Sequence, residues 1–193
     1  MTFPAPTSPE PDGPTSGEDS PASVAHGPGS DGSADQAALH RNARRVQTAL
    51  LAAGSDAAVR QLPESAHTAA EAAAALGVTE AQIAKSLVFM ADGAPVLIVL
   101  RGADRLDPTR LAAHLGAARV RRADPDAVRA ATGYPIGGVS PLGHYGLRVL
   151  VDQGLADEGE IWAAAGTPNC VFPTSFAELV RVAGAEPADV RSS

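Results

Sequence analysis

The sequence predicts an α+β domain, and three observations predict it. Residues 86–100, SLVFMADGAPVLIVL, set two apolar runs on either side of Asp92-Gly93, a strong hairpin signal. Short helical stretches open on a capping side chain and close on glycine, from Thr68 to Gly77, Asp107 to Gly116 and Asp124 to Gly133. Hairpins mixed with helices this short do not build the regular strand–helix alternation of a doubly wound parallel sheet.

Each element has its own local reason. From Asp35 to Ala53, Leu39, Val46, Leu50 and Leu51 fall toward one helical face, and Gly54 is placed to end the helix. AAVRQLP (57–63) reads as a short extended piece. In TAAEAAAALG (68–77), Thr68 is the N-cap and Glu71, three residues on, completes a capping box; Gly77 supplies the left-handed stop. TEAQ repeats the box at Thr79 and Gln82, a single turn that runs into Lys85 at the mouth of the first hairpin strand. LDPTRLAAHLG (106–116) has Asp107 as cap and Pro108 at the first helical position. ARVRRA (118–123) is a short strand, and DPDAVRAATG repeats the Asp-Pro opening and Gly closing. GYPIGGVSPLGHYG (133–146) is dense in glycine and proline and reads as a loop. LRVLVD, EIWAAAG and NCVFPT are strands, and TSFAELVRVAG is a final helix capped by Thr174.

The chain divides by composition. Residues 1–34 hold seven Pro, five Gly and six Ser with no Lys or Arg, too little apolar surface to offset the entropy of ordering. We read 1–34 as a disordered acidic arm and 35–193 as the folded domain. The arm has neither the basic start nor the apolar core of a signal peptide. The longest apolar run, APVLIVL, is far short of the ~20 residues of a membrane span, so no membrane association is expected. Through Asp35 the chain carries six acidic and no basic residues, −6 of the net −7, and the near-neutral remainder argues against a DNA-binding protein that grips a long duplex. A short nucleic-acid end is not excluded by that argument. The one local basic cluster, Arg119, Arg121 and Arg122, reads as a solvated strand edge. Cys170 is the only cysteine, which rules out an internal disulfide and fits a reducing cytoplasm; its apolar surroundings suit a small buried hydrophobe.

Familiar chemical motifs are absent. There is no phosphate-binding glycine loop followed by Lys-Ser/Thr, no His/Cys spacing for zinc, and Pro141 breaks the nucleophile-elbow pattern around Ser140. No metal and no cofactor is expected. What stands out is Lys85, the only lysine beside fourteen arginines. A compact ammonium does what a planar, permanently charged fork cannot, either in a narrow pocket or as a tunable amine. The second feature is IGGVSPLGHYG, whose paired glycines serve either to bring main chain close to a ligand where a β-carbon would collide or to form a tight corner between a helix and a strand.

AKSLVF, GYPIGGVSPLGH and WAAAGTPNCVFPTSFAELVRV, in this order and spacing, resemble the YbaK/EbsC family, over about residues 44–190. That family contains aminoacyl-tRNA deacylases related to the editing domain of bacterial prolyl-tRNA synthetase. The resemblance implies a single mixed, curved sheet with surrounding helices and no metal or organic cofactor. It implies hydrolysis of the ester joining a wrong, small amino acid to tRNA for proline. The partners it implies are the acceptor end of aminoacyl-tRNA and prolyl-tRNA synthetase. By the same resemblance the functional lysine falls on Lys85 and an adjacent hydroxyl on Ser86. The substrate loop falls on Gly137, Gly138, Val139, Ser140 and Pro141, and a further pocket wall on Gly166 and Asn169.

The mechanism expected from these residues keeps Lys85 charged against a phosphate, ribose or carbonyl oxygen. Backbone N–H groups of Gly138 to Ser140 would face the developing oxyanion, and the substrate's amine or vicinal hydroxyl would activate water. The competing reading is a catalytically silent module of the same fold that binds a tRNA end, a nucleotide or a synthetase; Lys85 together with the full glycine loop favours the hydrolase over it.

Overall fold

Local signals become element boundaries almost residue for residue. The computed structural model describes residues 39–63 and 66–192. Their order is α1 (Arg41–Ala52), β1 (Arg60–Gln61), α2 (Ala69–Leu76), a 3-10 turn (Glu80–Gln82), β2 (Ile83–Ala91) and β3 (Ala94–Arg101). Then come α3 (Pro108–Leu115), β4 (Val120–Arg122), α4 (Pro125–Thr132), β5 (Arg148–Asp152), a second 3-10 turn (Gln153–Asp157), β6 (Ile161–Ala164), β7 (Cys170–Thr174), α5 (Phe176–Val182) and β8 (Glu186–Ala188). The arm read as disordered, residues 1–34, lies outside the described residues.

The caps form as their chemistry requires. Thr68 and Glu71 make the reciprocal box at the start of α2, and Gln82 Oε1 accepts from the Thr79 amide and hydroxyl. Asp107 and Asp124 accept first-turn amides of α3 and α4, and Gly77, Gly116 and Gly133 end α2, α3 and α4 with left-handed φ. Asp92 and Gly93 take φ of 47° and 89°, the paired positive values of a two-residue hairpin turn.

Four boundaries differ from expectation. α1 begins on a His40 cap, whose Nδ1 accepts from the Asn42 amide. The cap of α5 is Ser175, which accepts the Glu178 amide, while the Thr174 hydroxyl bonds the Glu178 carboxylate instead. Lys85 sits inside β2, which starts at Ile83. The tail adds β8, which no sequence signal announced: it is three residues long, with Pro187 tolerated at the sheet edge.

The strands form one mixed sheet in the order β1-β7-β6-β2-β3-β5-β8, with β4 also on β2. β2–β3, β2–β4, β6–β7 and β1–β7 are antiparallel; β2–β6, β3–β5 and β5–β8 are parallel. Alternation splits the core. Ala84, Val88, Leu97, Val99, Val151 and Phe172 face α1, α4 and α5, burying Val46, Leu50, Val128 and Leu179. On the opposite face Phe89, Ile98, Leu100 and Leu150 cover Leu111 of α3, and Ile83, Trp162 and Val171 cover Ala72 and Ala73 of α2.

The glycine- and proline-rich loop after α4 is held by Tyr134, which is fully buried. Its hydroxyl donates to the Leu142 carbonyl at 2.7 Å and accepts from Arg45 Nε at 3.1 Å, tying both ends of the loop to α1. Tyr134→Phe leaves a buried carbonyl without its donor, costing about 1–3 kcal/mol. Thermal unfolding should show Tm lowered by roughly 3–8 °C; an unchanged Tm would remove this tie as the loop's anchor.

Candidate functional site

One flank of β2 is paired along its length with β3, from Ala84 opposite Arg101 to Ala91 opposite Ala94. The other flank is divided. β6 pairs with Ile83 and Ala84, β4 pairs with Phe89 to Ala91, and Lys85 to Val88 have no strand on that side. Two chain terminators keep the break open. Gly166 turns the chain away after β6 with φ of 88°, packed so closely on helix α1 that a Cβ would lie 2.9 Å from Asn42. On the other side the Ala123 amide caps the Val88 carbonyl, and Asp124-Pro125 at once starts α4.

A cavity of about 270 Å³ fills this break, walled by every residue from Ile83 to Val88. His67, Thr68 and Ala72 close it at the start of α2, and Trp162, Ala164, Pro168 and Val171 on the β6–β7 side. Arg122, Ala123 and Val128 come from β4 and α4, and Ile136, Gly137 and Val139 from the loop. The cavity reaches both faces of the sheet: Lys85 and Trp162 belong to one, Ser86, Val128 and Val139 to the other.

Lys85 is held rather than free. Its ammonium donates to the Gly102 carbonyl at 2.8 Å and to the Asp104 carbonyl, in the loop between β3 and α3. Gly102 is obligatory, since a Cβ there would lie 2.6 Å from the Glu80 carbonyl oxygen. Arg101 braces the loop with ion pairs to Asp104 (2.7 Å) and Glu158 (3.3 Å). An ammonium has three N–H bonds, so one remains beyond the two carbonyls. Burial pulls the Lys85 pKa below its ordinary value; the Asp104 and Glu80 carboxylates oppose this, while Arg105 and Arg122 add to it.

Of the residues singled out in the sequence, Lys85, Ser86, Gly137 and Val139 line the cavity. Gly138 stands one layer behind: its N–H donates to the Pro135 carbonyl, and the missing β-carbon lets the Thr167 backbone pack against it. The oxyanion donor expected at Gly138 is therefore engaged elsewhere. Ser140 is fully buried and its hydroxyl accepts the Leu142 amide, while Pro141 presents its carbonyl to His144 Nε2. The Gly166 carbonyl accepts from Asn42, and Asn169 accepts from the Thr167 hydroxyl and the Leu62 amide; these contacts fix Pro168 in the wall without touching the cavity. Cys170 is buried, and burial pushes its thiol pKa up. Among the described residues no three His, Cys, Asp or Glu side chains gather as a metal site requires.

Trp162, Arg122 and His67 also line the cavity, though the sequence reading gave them no role. Trp162 is the only tryptophan, and Arg122 belongs to the one basic cluster, so both carried a compositional signal. Among the described residues three buried side-chain polar atoms lack a partner; two of them, Ser86 Oγ and Trp162 Nε1, belong to this wall.

A family described as the aminoacyl-tRNA editing domain matches residues 63–182. A proline–tRNA ligase from Nitratidesulfovibrio vulgaris (strain DP4) is 37% identical over 138 residues, covering 70% of this chain and 24% of that protein. One from Moorella thermoacetica is 39% identical over 85 residues, 44% of this chain and 15% of that one. The chain thus spans a quarter or less of the length of these curated relatives. A crystal structure of a candidate trans-editing enzyme for prolyl tRNA synthetase shares 41% identity at a TM-score of 0.77, over 80% of this chain and 99% of that one.

The electrostatics make a direct prediction. With ¹³C-labelled lysine, the single Lys85 side-chain resonance should titrate below the ordinary lysine value, and Arg122→Ala should move that midpoint upward by removing a neighbouring cation. A midpoint at or above the ordinary value would contradict the environment described.

Proposed function

The chain belongs to the aminoacyl-tRNA editing domain family, and from that premise we infer that it hydrolyses the ester of a mischarged aminoacyl-tRNA, acting in trans on a small amino acid carried by tRNA for proline. The observation that carries the reading is the cavity itself: a small apolar space opened in the sheet, with a held ammonium in its wall and Arg122 beside it. The likeness to a candidate trans-editing enzyme and to proline–tRNA ligases supports both the reaction class and the tRNA. Such a substrate places the protein in the cytoplasm, with prolyl-tRNA synthetase as the partner whose errors it corrects. Among the described residues no helix is long and apolar enough to cross a membrane.

The residues divide the work by chemistry. Lys85, with one N–H left, binds an oxygen of the acceptor end, and Arg122 and Arg105 add positive charge against the terminal phosphate. Gly137, Val139 and Val128 limit the space for the amino-acid side chain, backed by Gly138, Ser140, Pro141, Gly166 and Asn169. An aminoacyl ester is already activated, so water attacks its carbonyl with the proton passing to the substrate's own amine; the ester bond breaks and the ribose hydroxyl leaves protonated. A carboxylate base is not among the lining residues, and His67 at the start of α2 is the only imidazole there.

The test is deacylation of tRNA for proline charged separately with alanine, cysteine, serine and proline. Wild type should clear at least one mischarged species and spare prolyl-tRNA. Lys85→Ala should lower the rate by about 10²–10³-fold, the scale of losing one well-placed donor. Lys85→Arg should fail similarly, because a planar fork does not fit between the Gly102 and Asp104 carbonyls. His67→Ala should keep most of the activity. Full activity in Lys85→Arg would refute the geometric role; clearance of no species would refute hydrolysis.

A further inference from the structure

The break in the sheet has a consequence in hydrogen bonds. In an antiparallel ladder successive residues turn their N–H and C=O to opposite flanks. Ala91 and Ala94 close the two-residue turn, so odd-numbered residues of β2 bond toward β3. The Val88 carbonyl, on the opposite flank, meets the Ala123 amide. Ser86 therefore turns both its N–H and its C=O into the break, and Val88 its N–H. Ser86 is half-buried although its hydroxyl is fully buried, so its exposed surface is Cβ and main chain, lying in the cavity wall. A strand edge this short, enclosed by Pro168 on one side and Arg122 on the other, cannot admit another strand.

We propose that the open edge of β2 at Ser86 binds the aminoacyl group by main-chain pairing, as a one-residue antiparallel strand. This rests on reading the chain as an aminoacyl-ester editing domain. In a hydrogen-bonded antiparallel pair, both bonds run between the same two residues. One aminoacyl group satisfies this alone: its carbonyl oxygen accepts from the Ser86 N–H, and its α-amine donates to the Ser86 carbonyl. The pairing fixes direction. The ester and ribose run toward Ala84 and the Gly166 turn, and the amine lies toward Val88. Directly opposed residues place their side chains on one face, so the substrate side chain enters the recess of Val88, Val128 and Val139 on Ser86's face. The ester carbonyl meets a fixed N–H that carries developing negative charge once water adds, the role left open by Gly138. Lys85, Arg105 and Arg122 give the charge that complements the terminal phosphate.

Amide hydrogen exchange of the full chain, followed by NMR, tests this directly. In the free protein the Ser86 amide should exchange about tenfold or more faster than those of Lys85 and Leu87, which bond to β3. Addition of 3′-deoxy-3′-(L-alanylamino)adenosine, a non-hydrolysable amide, should slow Ser86 by about tenfold or more and leave its two neighbours unchanged. In deacylation, an RNA acceptor carrying propanoyl in place of alanyl lacks the α-amine and should react about 100-fold or more slowly. A Ser86 amide protected in the free protein, or one the analogue does not slow, overturns the proposal. Equal rates for propanoyl and alanyl esters overturn it also. Protection without cleavage of any ester keeps the docking edge and removes the hydrolase reading; cleavage without protection does the reverse.

Discussion

Strand β2 has two flanks and three neighbours, and the rest of the structure follows from how it divides them. β3 takes one flank whole, while β6 and β4 share the other and stop short of each other. A sheet with an internal break normally closes it, because unpaired buried main chain costs free energy. Here closure is blocked from both ends: Gly166 commits the chain to a turn against α1, and Asp124-Pro125 commits it to a helix. The cavity is therefore a product of backbone geometry more than of side-chain shape. Residues that never touch it, such as Gly138 and Asn169, matter because they pack on Thr167, next to the Gly166 turn.

The same division explains what was legible in the sequence. Capping boxes, Asp-Pro openings, closing glycines and the Asp92-Gly93 turn act over a few residues, and each produced its element. The cap at Ser175 instead of Thr174 separates two adjacent hydroxyls that local rules cannot rank. β8 exists because β5 offers it an edge, a reason outside its own three residues. Lys85 and the glycine loop stood out by composition and by spacing. Which loop residues face the cavity did not, since that depends on the packing of Thr167 against Gly138, far apart in the chain. Arg122 read as an ordinary exposed edge, and it is exposed; only the register with Phe89 puts it at the cavity.

The preference for lysine over arginine at position 85 has a concrete cause. Two carbonyls from one tight loop, made possible by Gly102, form a seat for a compact cation. The seat fixes the amine's position while burial and two arginines weaken its hold on the proton. Positioning and tuning thus come from the same few atoms, and Arg101 secures them by pinning Asp104 and Glu158.

Because Lys85 is the chain's only lysine, every side-chain amine reaction of this protein takes place at the cavity. An acetyl, ubiquitin or other lysine-borne mark could be installed only in the cavity wall, so such a mark and a cavity occupant exclude each other. For the same reason, once the α-amine is blocked or its adduct is counted separately, an amine-directed probe labels the cavity wall alone, and the yield at Lys85 reports whether the cavity is occupied.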